Sequence, residues 1–236
     1  MIRLLEQLNY VPPKLIPYKK DKLEVIYNTV EDYFQLFVDG EEWMSYRNKD
    51  HKQAYEFYSH WDQAKGHCIC TGLGFGTREN WILTKPEVTK VTVIEKNIEV
   101  IEYQKIINPK LFDHVEVIHS NAYDYIGQCD TLLLDHFESE ALNEYKLLQS
   151  MSEICNNIKS DVAWFWTLEQ IVVKESYHRS RKLGRYVSNL LVYNEFKSRY
   201  NLPLPDLTEE DLLLYYFMYA SKDPVSMFDR YFSNGR

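Results

Sequence analysis

The sequence predicts a doubly wound α/β fold with a mostly parallel sheet, preceded by a small antiparallel β-hairpin and followed by a helical extension. Three observations predict it. Between residues 67 and 166, near-continuous apolar runs alternate with segments of helical spacing, the pattern of a parallel sheet covered on both faces. A tight glycine cluster, Gly72-Leu73-Gly74-Phe75-Gly76, stands where the first run ends and a helix-like segment begins. Ahead of it, Asp39-Gly40 separates two strand-like runs, a strong hairpin signal.

In chain order, the first twenty residues carry Pro12, Pro13 and Pro17 and read as an irregular lead-in with a short helix over 2–8. From Leu23 the period becomes two, with Leu23, Val25 and Tyr27 alternating with Glu24, Ile26 and Asn28. Tyr33 to Val38 and Glu42 to Tyr46 flank the Asp-Gly turn. Asp50 is placed as a helix N-cap before Ala54, Phe57, Tyr58 and Trp61, and Gly66 closes that helix. Core strands are expected at 67–71, 90–95, 115–119, 131–135 and 162–166, with helices at 79–83, from Ile98 to Ile107 and at 138–158. Asn108-Pro109 ends the second of these helices, because the residue before proline is pushed out of the helical region. From Glu169 to Tyr200 the chain is mostly helix-forming. Pro203 and Pro205 interrupt it, and Asp206 or Thr208 caps a last apolar helix. The expected organisation is a hairpin extension over 1–49, a Rossmann-like core over 50–168 and a helical extension over 169–236.

Composition narrows the functional classes. The 236 residues carry a formal charge of −8, which argues against broad nucleic-acid binding through a basic face. Lys174, Arg179, Arg181, Lys182 and Arg185 form a local basic cluster that reads as the wet face of a helix. No run approaches the roughly 18 apolar residues of a membrane span, and the N-terminus is too broken by charge for a signal peptide, so a cytoplasmic location without membrane attachment is expected. Cys68 and Cys70 alternate on one strand and, with Cys129 and Cys155, read as reduced, buried thiols.

The chemistry gathers at strand ends. Closely spaced glycines let a backbone turn and let a ligand approach it, and the helix start behind them faces that ligand. Glu95 ends the second strand, where a carboxylate can accept both hydroxyls of a ribose. A dinucleotide loop would have glycine or alanine where Thr77 stands. The tighter spacing of Gly72, Gly74 and Gly76 resembles instead the first motif of class I S-adenosylmethionine-dependent transferases. That resemblance implies an adenine contact at Asn121-Ala122. It also places the reacting atoms near Asp135-His136-Phe137-Glu138. A sulfonium is already a strong electrophile, so no metal is expected. The protein has to align the acceptor and take its proton, with Asp135 the first candidate base and His136 the second.

From about Leu23 to Thr167 the chain resembles the spermidine synthase-like branch of that superfamily. Leu36-Phe37-Val38-Asp39-Gly40 looks like its Leu-Asp-Gly strand, Val93 to Ile101 like its ribose-binding strand and helix, and Cys129 to Asp135 like its fourth strand with the amine-activating Asp. The departures fall on the acceptor side. Trp43 stands where that family has Gln, Tyr55-Glu56-Phe57 where it has Tyr-His-Glu, and Glu138 is the replacement for its second amine-binding acid. The resemblance therefore implies S-adenosylmethionine, or its decarboxylated form, as cofactor and a small molecule as acceptor, with Trp43 and Glu138 on the acceptor side. A methyltransferase is the first expectation, an aminopropyltransferase the second, and a non-catalytic binding module on the same fold the third. Nucleic-acid methylation is disfavoured, since neither an Asn-Pro-Pro-Tyr-type tetrad nor a Pro-Cys follows the fourth strand. The aromatic-rich helical tail is expected to cap the site, to supply a homodimer face or to cover the sheet as a helical layer.

Overall fold

The computed structural model describes residues 10–47, 52–135 and 144–220. The first helix expected over 2–8 and the Asp50 cap lie outside the described residues. A four-stranded antiparallel sheet comes first, made of β1 (Tyr18–Lys20), β2 (Leu23–Asn28), β3 (Tyr33–Val38) and β4 (Glu41–Arg47) in that spatial order. The β3–β4 turn has φ of 54° at Asp39 and 83° at Gly40, left-handed at both residues as a two-residue hairpin of matching twist requires. Leu23, Val25, Leu36 and Val38 bury one face. β1 corrects the expected irregular lead-in. Its three residues pair with β2 through Tyr18–Val25 and Lys20–Leu23, a strand too short for its own period to show.

The second sheet is parallel throughout, in the order β7 (Val115–His119), β6 (Val88–Glu95), β5 (Gly66–Thr71), β8 (Gly127–Leu134) and β9 (Ile158–Phe165). The fold class read from the sequence is borne out. The chain builds outward from β5 to β7, then returns to β5's other side with β8. This reversal of direction opens a crevice at the carboxyl ends of β5, β6 and β8. Helices α1 (Lys52–Glu56) and α2 (Tyr58–Gln63) precede β5 as two short pieces rather than one, broken at Phe57, whose φ and ψ of −93° and 13° leave the helical well. Gly66 belongs to β5 at φ 60° rather than closing a helix. α3 (Thr77–Ile82) follows the glycine loop, and α4 (Ile98–Ile107), with a 3₁₀ turn after it, links β6 to β7. α5 (Glu144–Asn157) runs into β9. All four cysteines are free and buried.

Beyond β9 the chain forms α6 (Leu168–Leu183), α7 (Asn189–Arg199) and α8 (Glu209–Ala220). Gly184 ends α6 at φ 62°. Glu209 then joins α7 to α8 by accepting the backbone N–H groups of Asn189 and Leu190 at 3.0 and 2.7 Å. Thr208 and Asp211 cap α8 reciprocally: the Thr208 hydroxyl accepts the Asp211 N–H at 3.2 Å, and the Asp211 carboxylate accepts the Thr208 N–H at 2.9 Å. The extension is packed on the core. Trp164 of β9 meets Tyr193 and Tyr215 with ring centroids 6.2 and 5.3 Å apart, and Gln63 donates to the Tyr215 hydroxyl at 2.7 Å. Along β9, the N–H of Ala163 donates to the Pro203 carbonyl at 2.7 Å. In the basic cluster, Arg181, Lys182 and Arg185 are exposed, while Arg179 pairs with Glu175 at 2.8 Å and with Glu195. No helix among the described residues is long and apolar enough to cross a membrane.

Candidate functional site

A pocket of about 170 Å³ opens at the carboxyl ends of the strands, as the reversal of strand order requires. The glycine loop forms its floor. Gly72 and Gly74 line it with φ of 76° and 48°, backbone that a side chain rarely adopts. Gly76, at φ 70°, is not among the lining residues. A Cβ there would lie 3.1 Å from Gln104 Oε1 and 3.2 Å from Leu111, so this glycine lets the loop pass close to Gln104 of α4 and to the 3₁₀ turn behind it. Gln104 also anchors the loop from outside by donating to the Gly74 carbonyl at 2.6 Å.

Glu95 ends β6 in the pocket wall, 4% exposed. One carboxylate oxygen accepts the Leu73 N–H at 2.8 Å, and the other accepts the Asn97 N–H at 2.7 Å and its side-chain amide at 3.2 Å. These bonds fix the orientation of the group while each oxygen keeps lone-pair capacity for a ligand. Burial raises its pKa, and the surrounding N–H donors pull it back. Asn121 and Ala122, after β7, line the same side with Ser120, Ile94 and Val100. The Asn121 side-chain oxygen accepts the Tyr123 N–H at 3.1 Å, an Asx turn, so its NH₂ is the group left to meet a ligand.

Asp135 stands just past β8 in the same pocket, its N–H donated to the Thr71 hydroxyl at 3.1 Å. Burial pushes its carboxyl up to about 6. Arg78 opposes that shift, and Glu79, Glu56 and Glu95 add to it. Near neutrality it is a carboxylate of raised basicity, suited to taking a proton. Beneath it, Arg78 and Glu79 are 2% and 1% exposed, paired at 2.5 Å. Arg78 also donates to the Thr71 carbonyl at 3.1 Å and to the Gly72 carbonyl, so one guanidinium holds the strand end and the first turn of the loop. His136 and Glu138 lie outside the described residues.

Further lining comes from the antiparallel sheet and the chain after β9. In the β3–β4 register Leu36 faces Met44 and Phe37 faces Glu42, which leaves Trp43 as an extra, unpaired residue. This β-bulge breaks the alternation of sides, and Trp43 and Met44 both line the pocket. The Met44 sulfur accepts the Phe75 N–H at 3.2 Å. Gln53 and Phe57 complete this part of the lining. Trp166 enters from the end of β9, its backbone N–H donating to the Leu134 carbonyl at 2.9 Å. Thr167 follows at φ 74°, strained for a β-branched residue.

The structure therefore gathers Trp43, Gly72, Gly74, Glu95, Asn121, Ala122 and Asp135 about one pocket and sets Gly76 behind it. Sequence reasoning missed Met44, Gln53, Phe57, Arg78 and Trp166. Trp166 was within reach, since it ends the fifth core strand and carboxyl ends line the crevice. The bulge that turns Trp43 and Met44 to one side has no periodic signature.

No protein-family model and no curated protein matches the chain. Among solved structures it is similar to spermidine synthase from Thermotoga maritima, at 19% identity over 65% of this chain and 56% of that one, with a TM-score of 0.45. It is similar to a spermidine synthase in complex with the transition-state analogue AdoDATO, at 18% identity over 65% and 57%, TM-score 0.45. A third is the mitomycin 7-O-methyltransferase MmcR, at 16% identity over 46% and 33%, TM-score 0.36. The chain thus spans little more than half the length of the two spermidine synthase chains.

Proposed function

We propose that this protein is an S-adenosylmethionine-dependent transferase that methylates a small molecule. The observation that carries the reading is Glu95: a buried carboxylate, oriented by loop N–H groups on both oxygens, in a pocket wall beside Gly72 and Gly74. That donor set fits an adenosine-bearing ligand. Glu95 would accept the ribose hydroxyls, Asn121 and Ala122 would meet the adenine, and the open backbone at Gly72 and Gly74 would pass the amino-acid part. When bound, the cofactor supplies an electrophilic methyl on a sulfonium. The chain's own task is to hold the acceptor in line with it and to receive the acceptor's proton at the Asp135 carboxylate.

Aminopropyl transfer from the decarboxylated cofactor is the second reading. It is favoured by the antiparallel sheet that contributes Leu36, Trp43 and Met44 to the pocket lining. Calorimetry on the full chain separates the two. S-adenosylmethionine and S-adenosylhomocysteine are expected to bind, with the decarboxylated cofactor weaker. A preference for the decarboxylated form selects the second reading. Absence of binding at 1 mM ligand, a free energy of only about −4 kcal/mol, removes both.

A further inference from the structure

The glycine loop keeps most of its own N–H groups occupied. Gly72 donates to the Ile94 carbonyl at 2.8 Å, Leu73 to Glu95 at 2.8 Å, Phe75 to the Met44 sulfur at 3.2 Å and Gly76 to the Leu73 carbonyl at 2.8 Å. Of residues 72–76, only Gly74 has an N–H without a partner among the described residues. An anionic group lying over this loop therefore meets one backbone donor rather than a cradle of them. It needs a further donor from elsewhere, because a charged oxygen taken out of water without hydrogen bonds is costly.

Gln53 is placed to give one. It lines the pocket with Gly72 and Gly74 and is 9% exposed. The Thr77 hydroxyl, at the start of α3, donates to Gln53 Oε1 at 3.4 Å. This contact ties the amide to the end of the loop and engages its oxygen, which leaves the NH₂ as the end turned to an occupant. The NH₂ has no partner among the described residues, and it is not sealed from solvent as the Trp166 indole nitrogen is. The other nitrogen-bearing side chains near the cofactor strands, Lys96 and Asn121, follow β6 and β7 and so stand with Glu95, on the ribose and adenine side.

An adenosylmethionine whose ribose meets Glu95 lays its amino-acid part along Gly72 and Gly74. The ammonium of that part is a donor only, like the Gln53 NH₂ and the Gly74 N–H. The carboxylate is the acceptor that can satisfy both. The decarboxylated cofactor brings an ammonium and no acceptor, so it leaves the two donors unmatched.

We propose that Gln53, together with the Gly74 N–H, receives the carboxylate of the cofactor and makes the pocket selective for the carboxylated form. The proposal rests on the adenosylmethionine reading and names the residue that would decide between its two versions.

The test is calorimetry on the full chain with three ligands: S-adenosylhomocysteine, its decarboxylated analogue, and 5′-methylthioadenosine, which lacks both the carboxylate and the ammonium. Wild type is expected to bind S-adenosylhomocysteine at least tenfold tighter than the decarboxylated analogue. Gln53→Met keeps the length of the side chain and removes the NH₂, and should abolish most of that preference. Gln53→Glu keeps an acceptor for Thr77 and sets a negative charge against the carboxylate, and should reverse the preference. Affinity for 5′-methylthioadenosine should stay within about twofold of wild type in both variants, which shows that the pocket is intact. A preference unchanged in both variants overturns the proposal and leaves the adenosylmethionine reading standing. An equal loss for all three ligands also overturns it, since Gln53 would then support the loop rather than read the carboxylate. A wild-type preference for the decarboxylated analogue overturns it as well. If wild type binds none of the three, the adenosylmethionine reading itself falls and the proposal with it.

Discussion

The sulfur of Met44 occupies the space that a side chain on Gly74 would need: a Cβ built on Gly74 lies 2.5 Å from it. The antiparallel sheet and the glycine loop are therefore fitted to each other at this point, and the loop's course depends on the sheet as well as on its own glycines. Gly74→Ala is expected to lose about 1–2 kcal/mol of stability from the left-handed conformation alone. If the thioether swings aside it gives up the Phe75 N–H and disturbs a residue of the pocket lining. Ligand affinity should therefore fall more than stability does. Adding Met44→Ala should recover part of the affinity, which calorimetry and thermal unfolding on the single and double variants would show.

Glu95→Gln keeps the size of the side chain but turns an NH₂ toward either Leu73 N–H or Asn97 N–H, both of which need an acceptor. With a charged hydrogen bond to the ribose also weakened, S-adenosylhomocysteine affinity should drop by roughly 1.5–3 kcal/mol. An unchanged dissociation constant would take Glu95 out of the site.

Asp135 carries a pH signature. Its folded-state pKa is raised to about 6 from the ordinary 3.8. The folded protein therefore holds this proton more tightly than the unfolded chain does, and stability is lost as pH rises from near 3.8 through 6. Asp135→Asn removes that loss. The variant should match wild type near pH 3.5 and exceed it above pH 7, with the gain growing between. A ¹³C titration of the labelled carboxyl should place the midpoint near 6. A gain in stability that is the same at every pH would refute the shift.

Arg78 is a less forgiving position. Arg78→Met leaves Glu79 buried without its counter-charge and the carbonyls of Thr71 and Gly72 without their donor, a loss on the order of 3–5 kcal/mol. Because Arg78 also restrains the upward shift of Asp135, any folded Arg78→Met protein should show the Asp135 midpoint above that of wild type. Chemical denaturation and the same ¹³C titration measure the two effects separately.

The core was legible because its elements are local and periodic. Val115–His119 and Ile98–Ile107 fall where the apolar runs and Asn108-Pro109 place them. The cofactor half of the pocket was legible for a related reason: Gly72, Glu95, Asn121 and Asp135 all stand at strand ends, and the order of the sheet brings strand ends together. The acceptor half depends on tertiary facts. Trp43 and Met44 share a side only because the register slips between Leu36 and Phe37. Arg78 reads as an ordinary residue in the first turn of a helix, where a cation is disfavoured by the dipole. Its use is seen only once it folds back on Thr71 and Gly72. β1 was missed because three residues after a proline-rich stretch carry no measurable period.

The bond from Ala163 to the Pro203 carbonyl has a consequence for the molecule among its own copies. β9 closes one side of the parallel sheet, and an open strand edge is a template on which a second chain can pair. The segment laid along it, with Leu202 and Leu204 buried, satisfies one N–H of that edge. Neither Pro203 nor Pro205 has an N–H with which to extend a ladder. The helical extension thus covers the edge with a segment that is unable to grow into further strands. A chain cut after α6 would retain every residue of the pocket wall and yet expose β9, and its expected failure is self-association at high concentration rather than loss of the site.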